Sequence, residues 1–251
     1  MSAFRCDLHI HSCLSPCGDG EMTPGNIAGV AKLNGLNIAA LTDHNSCGNC
    51  ESFFAACGHY GVVPVAGMEL TTSEDVHLLC LFRTLPDAAA FQEAVEDRRI
   101  RIKNKPEIFG RQLLIDRDDE PCGEEEFLLI NATTLSLQEA AQLCKLFRGA
   151  AIPAHIDREA NGMLATLGGV PDEPDVPTVE LREEARWTEL TREHPILFKK
   201  RCIVSSDAHR LWEIAEPGFP INLPCESSAA AQTVRDCLID YLSGHRSGGE
   251  I

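Results

Sequence analysis

No run of apolar residues in this 251-residue sequence is long enough to cross a bilayer as a helix, which excludes a helical membrane protein. The opening Met1-Ser2-Ala3-Phe4-Arg5 enters strand-like sequence with no apolar signal region before it, so a cytoplasmic protein is expected. Basic residues are scarce. Lys and Arg number 22 against 38 Asp and Glu, a net charge of −16 with a pI near 4.9. Such a surface repels polyanions, so nucleic acid is a poor partner; a small anion can approach only where bound cations reverse the field. The Lys-Ser/Thr pair of a phosphate loop is missing around Gly18-Asp19-Gly20, and no Gly-x-Ser-x-Gly elbow exists. These absences exclude a P-loop nucleotidase and a serine hydrolase of the elbow type. Strong linkers, repeats and low-complexity tracts are also lacking, so residues 1–251 read as one domain.

Cysteine, by contrast, is plentiful at 12. Cys6, Cys80, Cys144, Cys202 and Cys237 lie in apolar surroundings and read as buried free thiols. Cys47-Gly48-Asn49-Cys50 is a lone C-x-x-C with no second pair to complete a zinc site, a weak signal for redox or metal chemistry.

Apolar segments alternate in type along the chain. Strands are expected at Phe4–Ile10, Leu36–Leu41, Val62–Val65, Val76–Phe82 and Ala150–Ala154, then at Val176–Leu181, Cys202–Ser205 and Gly218–Leu223. Helices are expected at Pro24–Leu33, with Thr23 as N-cap, at Cys50–Tyr60 and at Pro86–Arg98. Two more follow at Ser136–Phe147, opened by a capping box, and at Ser227–Ser243. Residues 84–132 form an insertion whose charged part, about 100–130, breaks this rhythm; Gln112–Glu126 reads as a hairpin with Asp118-Asp119-Glu120 at its tip. Gly168–Pro177 reads as a long loop. Repeated strand–helix units imply a parallel sheet, and their number favours an α/β barrel.

Chemistry-bearing residues recur at the borders of these strands. Asp7-Leu8-His9-Ile10-His11 ends the first strand, and residues two apart on a strand face the same side, so His9 and His11 can converge on one metal with Asp7 in support. Thr42-Asp43-His44 and Gly67-Met68-Glu69 close the next two. His77 opens a strand, His155 follows one, and Ser205-Ser206-Asp207-Ala208-His209 ends another. Strand C-termini of a parallel barrel meet at one face, where active sites form. Six of the 9 histidines occupy such places; His59, His194 and His245 read as surface residues. This many imidazoles and carboxylates exceed one tetrahedral ion and suit two or three divalent metals, zinc, manganese or iron, sharing a bridging carboxylate.

Taken jointly, Asp7-Leu8-His9-Ile10-His11, Thr42-Asp43-His44, Gly67-Met68-Glu69, Ala154-His155 and Ser206-Asp207-Ala208-His209 resemble the PHP family (polymerase and histidinol phosphatase). The resemblance implies a distorted barrel of seven strand–helix units with a trinuclear site. It implies that His9, His11, Glu69 and Asp207 hold one metal, that Glu69 bridges to a second held by His77 and His155, and that His44 and His209 hold a third with a ligand from the first loop. Asp19-Gly20-Glu21-Met22-Thr23-Pro24 resembles the family's Asp-Gly-x-Leu-Thr-Pro, which favours Asp19 as that ligand over Cys17. The first loop is longer and richer in cysteine than in the phosphoesterase branch, and the insertion carries Lys103, Lys105 and Arg111.

The expected activity is hydrolysis of a small phosphomonoester, such as a nucleotide or a histidinol-phosphate-like ester, by metal-activated water. Glu69 and Asp207 are the expected catalytic carboxylates. Arg158, three residues past His155, and Arg210, beside His209, are the candidate cations for the phosphoryl oxygens. Two rivals remain, a nuclease acting on DNA or RNA ends and a non-catalytic regulatory module stabilised by its metals.

Overall fold

The computed structural model describes residues 1–244. His245 lies outside the described residues. β1 (Ser2–Ile10) starts half exposed and ends buried, which carries its His9 end into the interior. α1 (Pro24–Leu33) starts where expected: the Thr23 hydroxyl accepts from Asn26 N–H, and Pro24 takes the first turn. β2 (Ile38–Leu41) is buried throughout. α2 (Cys50–Tyr60) ends at Gly61 in the left-handed conformation that glycine adopts most readily. β3 (Val63–Thr71) and β4 (His77–Phe82) follow, then α3 (Leu85–Glu96), which packs Ala88, Phe91 and Val95 into the core.

In the insertion, α4 (Pro106–Phe109) precedes a hairpin of β5 (Leu113–Ile115) and β6 (Pro121–Glu124), with Asp118 and Asp119 in its turn as expected. α5 (Leu137–Leu146) carries the full Ser136–Glu139 capping box. The rest of the chain gives β7 (Ala150–Pro153), α6 (Met163–Leu167), β8 (Thr178–Leu181), α7 (Trp187–Glu193), β9 (Arg201–Val204), β10 (Phe219–Leu223) and α8 (Ala231–Leu242). No helix among the described residues is long and apolar enough to cross a membrane.

The α/β class with a distorted barrel holds, but the sheet is mixed rather than parallel. One 6-stranded sheet runs β10-β1-β2-β3-β4-β7, and β8-β9 form a second pair. β1, β2 and β3 are parallel, whereas β4 runs antiparallel to both β3 and β7, and β10 antiparallel to β1. The reason is loop length. Only residues 72–76 join β3 to β4, too few for a parallel crossover, which needs a dozen or more. The short pair closes the curve: Ile156 N–H donates to Glu180 O at 2.9 Å, and His11 N–H to Ala208 O at 3.0 Å. Reversing β4 puts its first residue, His77, beside the C-terminal end of β3, opposite Thr71.

Two apolar clusters flank the sheet. One joins α1, α2, α3 and α5 through residues such as Ile27, Phe53, Phe91 and Ala140; the other packs α8 residues Leu238 and Leu242 against Ile38, Val65 and Ile152. Of the cysteines expected to be buried, Cys6, Cys80 and Cys144 are. Cys202 on β9 and Cys237 on α8 are only half-buried; on α8 the core-facing positions are Val234, Leu238, Ile239 and Leu242.

Candidate metal centre

β1 pairs with β2 through a register shift between Asp7 and Ile10; His9 lies within it and His11 just past it, and both are fully buried. Their Nε2 atoms are 3.1 Å apart. Asp207, just past β9, takes φ +52, a left-handed conformation uncommon outside glycine, and brings Oδ1 to 3.4 Å from His9 Nε2 and 3.3 Å from His11 Nε2. Glu69, near the end of β3, reaches the same pair, Oε1 at 3.2 Å from His9 and Oε2 at 3.3 Å from His11. All four side chains are buried.

Glu69 also faces a second group. Its Oε1 lies 2.7 Å from His77 Nδ1 and 3.0 Å from His155 Nε2, and these two ring nitrogens are 3.3 Å apart. His155 too has positive φ, +28. On the other side of Glu69, His44 joins His11 and His209 in a third group; the His11 ring lies 4.6 Å from His44 and 4.2 Å from His209, centre to centre.

The donor set fits divalent metals. Bonds of about 2.1 Å to imidazole or carboxylate place neighbouring ligand atoms about 3.0 Å apart in octahedral and about 3.4 Å apart in tetrahedral geometry, and the contacts above span 2.7–3.4 Å. His44 Nδ1 and Glu69 Oε2 lie 2.9 Å apart but out of line for a hydrogen bond, so both are buried without an aligned partner. An unpaired polar atom in the interior is costly, and a shared cation would satisfy both.

The electrostatics follow from packing these groups together. Burial alone would depress the basicity of His9, but the Glu180, Glu69 and Asp207 carboxylates outweigh it and hold its pKa well above the usual imidazole value. Burial is likewise outweighed at His11, where Asp207 and Glu69 raise the value to about 9. Burial would raise Glu69, yet His77, His9 and His44 keep it well below the ordinary carboxylate range. Burial and the neighbouring His11 lower His209 to about 4. Metal binding displaces protons from such imidazoles, so affinity for a cation here should rise with pH.

Further residues orient the ligands. Glu180 on β8 was not singled out from the sequence: its Oε2 lies 2.9 Å from His9 Nδ1 and accepts from His155 N–H at 3.0 Å. That contact directs His9 Nε2 toward Glu69 and Asp207. An acid inside the buried Thr178–Leu181 strand was the available signal. Asp43 accepts from Ser12 N–H and from the Ser12 and Ser15 hydroxyls, and Ser15 Oγ contacts His11 Nδ1 at 3.0 Å. Asp7 does not touch a ring; it accepts from Ser206 N–H, Ser206 Oγ and Ala215 N–H, anchoring the segment that presents Asp207 and His209.

The candidate cations divide. Arg158 Nη1 donates to Asp207 Oδ2 at 2.9 Å, and Arg182, absent from the sequence reading, donates to the same oxygen at 3.0 Å. Both are partly solvent-exposed, at 39% and 44%. Arg210 points its charge elsewhere, toward Glu213 at 3.4 Å and the Trp212 ring. Asp19 is not brought into any of the three groups. Its Oδ1 accepts from Glu21 N–H at 2.9 Å in a local turn, while its N–H donates to His209 O. The Cys17 thiol lies against the His44 ring. Cys47 and Cys50 donate to Gly67 O, and no group of potential ligands among the described residues includes a cysteine. His59 is exposed and His194 half-buried, and neither joins the centre.

A family model for the PHP domain matches residues 7–149. An uncharacterised protein of Methanocaldococcus jannaschii is 32% identical over 102 residues, 37% of this chain and 60% of that protein. A 5'-3' exoribonuclease of Haemophilus influenzae is 29% identical over 115 residues, 42% of this chain and 41% of that enzyme. The lesion-specific endonuclease Q of Pyrococcus furiosus superposes with a TM-score of 0.68 at 18% identity, covering 98% of this chain and 57% of that one. The chain thus spans three fifths or less of these proteins. Two of the three are named for action on nucleic acid, which conflicts with the expectation drawn from net charge.

Proposed function

This chain belongs to the PHP domain family, and from that premise we propose that it is a metal-dependent hydrolase that cleaves the phosphate ester of a small phosphomonoester. The observation that carries the reading is the convergence of imidazoles and carboxylates on Glu69 and His11, His155 among them at 3.0 Å from Glu69, with two guanidinium groups meeting on Asp207 beside them. His9, His11, Glu69 and Asp207 would hold one divalent ion, Glu69, His77 and His155 a second, and His44 and His209 a third, with Asp19 or Cys17 completing it. Such ions supply Lewis acidity and an activated water.

The chain's own groups do the rest. Arg158 and Arg182 are the partly exposed cations beside Asp207, placed to pair with phosphoryl oxygens that gain charge in the transition state. Glu180 and Ser15 fix the outward-facing Nδ1 atoms of His9 and His11 and so hold the inner nitrogens in place. The nuclease reading is supported by similarity to the exoribonuclease and the endonuclease. Against it stands the net charge of −16, which repels a polymer more than a monoester.

The test is elemental analysis of protein purified without chelator, beside phosphate release from nucleoside monophosphates and nucleotide release from single-stranded oligonucleotides. Bound metal with faster monoester turnover supports the reading. Faster polymer cleavage replaces it with the nuclease, and full metal content with no turnover on either leaves a regulatory module.

A further inference from the structure

The third ligand group is short of donors. His11 commits both ring nitrogens elsewhere: Nδ1 contacts Ser15 Oγ at 3.0 Å, and Nε2 faces Glu69 and Asp207 at 3.3 Å each. That leaves the imidazoles of His44 and His209, where a divalent ion takes about four ligands or more. His44 is only 6% exposed, and its Nδ1 has no aligned hydrogen-bond partner. The resemblance in sequence offers Asp19 as the missing ligand, but the fold turns it away. Its Oδ1 accepts from Glu21 N–H at 2.9 Å, and no group of potential ligands includes it. Cys17 stands in its place. Ser12 to Pro16 are buried, and Cys17 is the exposed residue that follows them. Ser15 ties this loop to the centre: its Oγ accepts from His44 N–H at 3.2 Å and donates to Asp43 Oδ1 at 2.7 Å. Gly18 N–H donates to Ser15 O at 2.9 Å, which closes a turn with Pro16 and Cys17 at its corner. The insertion backs that turn at Gly110, where φ is +96 and a Cβ would lie 2.3 Å from Pro16 O, so glycine permits the close approach. The Cys17 thiol is thereby held against the His44 ring.

We infer that Cys17, and not Asp19, is the first-loop ligand that joins His44 and His209 on the third ion. The inference rests on the metal-dependent reading and sharpens it at one position. The thiol gives its proton to water as the sulfur–metal bond forms, since the thiolate is the ligand. A thiolate beside imidazoles favours zinc or ferrous iron over manganese or magnesium. The third position thus differs in kind from the other two, whose donors are nitrogen and oxygen alone.

Cobalt(II) reports the ligand directly, because a thiolate bound to it absorbs in the near ultraviolet by sulfur-to-metal charge transfer. The full chain is stripped with chelator and titrated with cobalt(II), with spectra and bound ions per chain recorded together. With 12 cysteines present, the difference between the intact protein and Cys17→Ser is the signal. The intact protein should show the band. Cys17→Ser should lose it and bind the third ion about tenfold or more weakly. Cys17→Asp should regain the affinity without the band, which separates a ligand from a residue that merely shapes the loop. Asp19→Ala should keep both. A band unchanged in Cys17→Ser, no band in the intact protein, or loss of the third ion from Asp19→Ala alone overturns the assignment. Turnover does not enter these readouts. A chain that binds no cobalt in any form removes the metal-dependent reading as a whole, whereas bound cobalt without a Cys17-dependent band removes Cys17 alone.

Discussion

Two regions of this molecule are rich in charge and use it in opposite ways. At the barrel mouth His9, His11, His155, Glu69 and Asp207 are buried, and Glu180 and Ser15 hold the outer ring nitrogens of His9 and His11. In the insertion, Arg101, Lys103, Arg111 and Glu126 lie in water and form ion pairs across the surface. Burying ionisable groups without compensation costs several kcal/mol each, and a fold keeps such a cluster when a ligand repays the cost. Exposed pairs require no such explanation. Burial, more than charge count, separates the site from its surroundings.

The contrast breaks most sharply at Glu69. Glu69→Gln keeps the shape but removes the charge common to the first two ligand groups. It should lose at least one metal per chain and lower turnover on the order of a hundredfold or more, while thermal unfolding remains cooperative. Full metal content with normal turnover would place Glu69 outside the machinery.

A smaller loss is expected at the mouth. Arg158→Ala and Arg182→Ala should each lower kcat/KM by about 10- to 100-fold, the worth of a charge-assisted hydrogen bond. Because both donate to Asp207 Oδ2, the double variant should lose less than the product of the two. Strict multiplicativity would mean that they act on separate atoms of the substrate.

These two arginines also mark the limit of what the sequence discloses. Arg158 is legible because it follows His155 closely; Arg182 lies 25 residues from Asp207, in a stretch without histidine, and only the fold unites them. Glu180 is 171 positions from His9 and is hidden for the same reason. Local signals read well: α2 spans Cys50–Tyr60 as expected, and the Ser136 capping box forms in full. The strand expected at Val62–Val65, with Gly67-Met68-Glu69 at its close, runs on as β3 to Thr71. In the fold Gly67 is inside the strand, where a Cβ would come within 2.6 Å of Leu81 Cδ2 and 3.0 Å of Cys80 O, so glycine serves close packing rather than a turn. Strand direction was not legible either, since an all-buried strand such as His77–Phe82 has the same pattern in both directions.

The insertion is tied to the framework through several hydrogen bonds, among them Ile115 N–H to Asn49 Oδ1 and Asn45 Nδ2 to Leu129 O, and its tip adds another. Asp119 at the hairpin tip accepts from Gly25 N–H at 2.7 Å and from the Thr23 hydroxyl at 2.6 Å, capping α1 from another segment. Asp119→Ala should cost about 1–2 kcal/mol in a urea titration, as loss of a helix cap does. Faster hydrogen exchange should follow in the hairpin and in the first turn of α1, both sharing the lost contact. An unchanged midpoint would mean that the hairpin docks without its tip.

The smallest effect belongs to the insertion's outer face. Arg111 Nη2 and Glu124 are 3.0 Å apart, with the arginine side chain 64% exposed. At that exposure, solvent and salt screen the pair, and ordering a long side chain offsets most of what remains. Arg111→Ala should therefore shift stability by no more than about 0.5 kcal/mol, and less as salt is raised. The measurement is the urea midpoint at low and at high ionic strength for both proteins. The neighbouring pairs Arg99–Glu125 and Lys103–Glu126 sit on the same two segments, so a network would show as a larger loss. A cost above about 1 kcal/mol, undiminished by salt, would show that the exposed charges are coupled as the buried ones are, and the division between mouth and insertion would not stand.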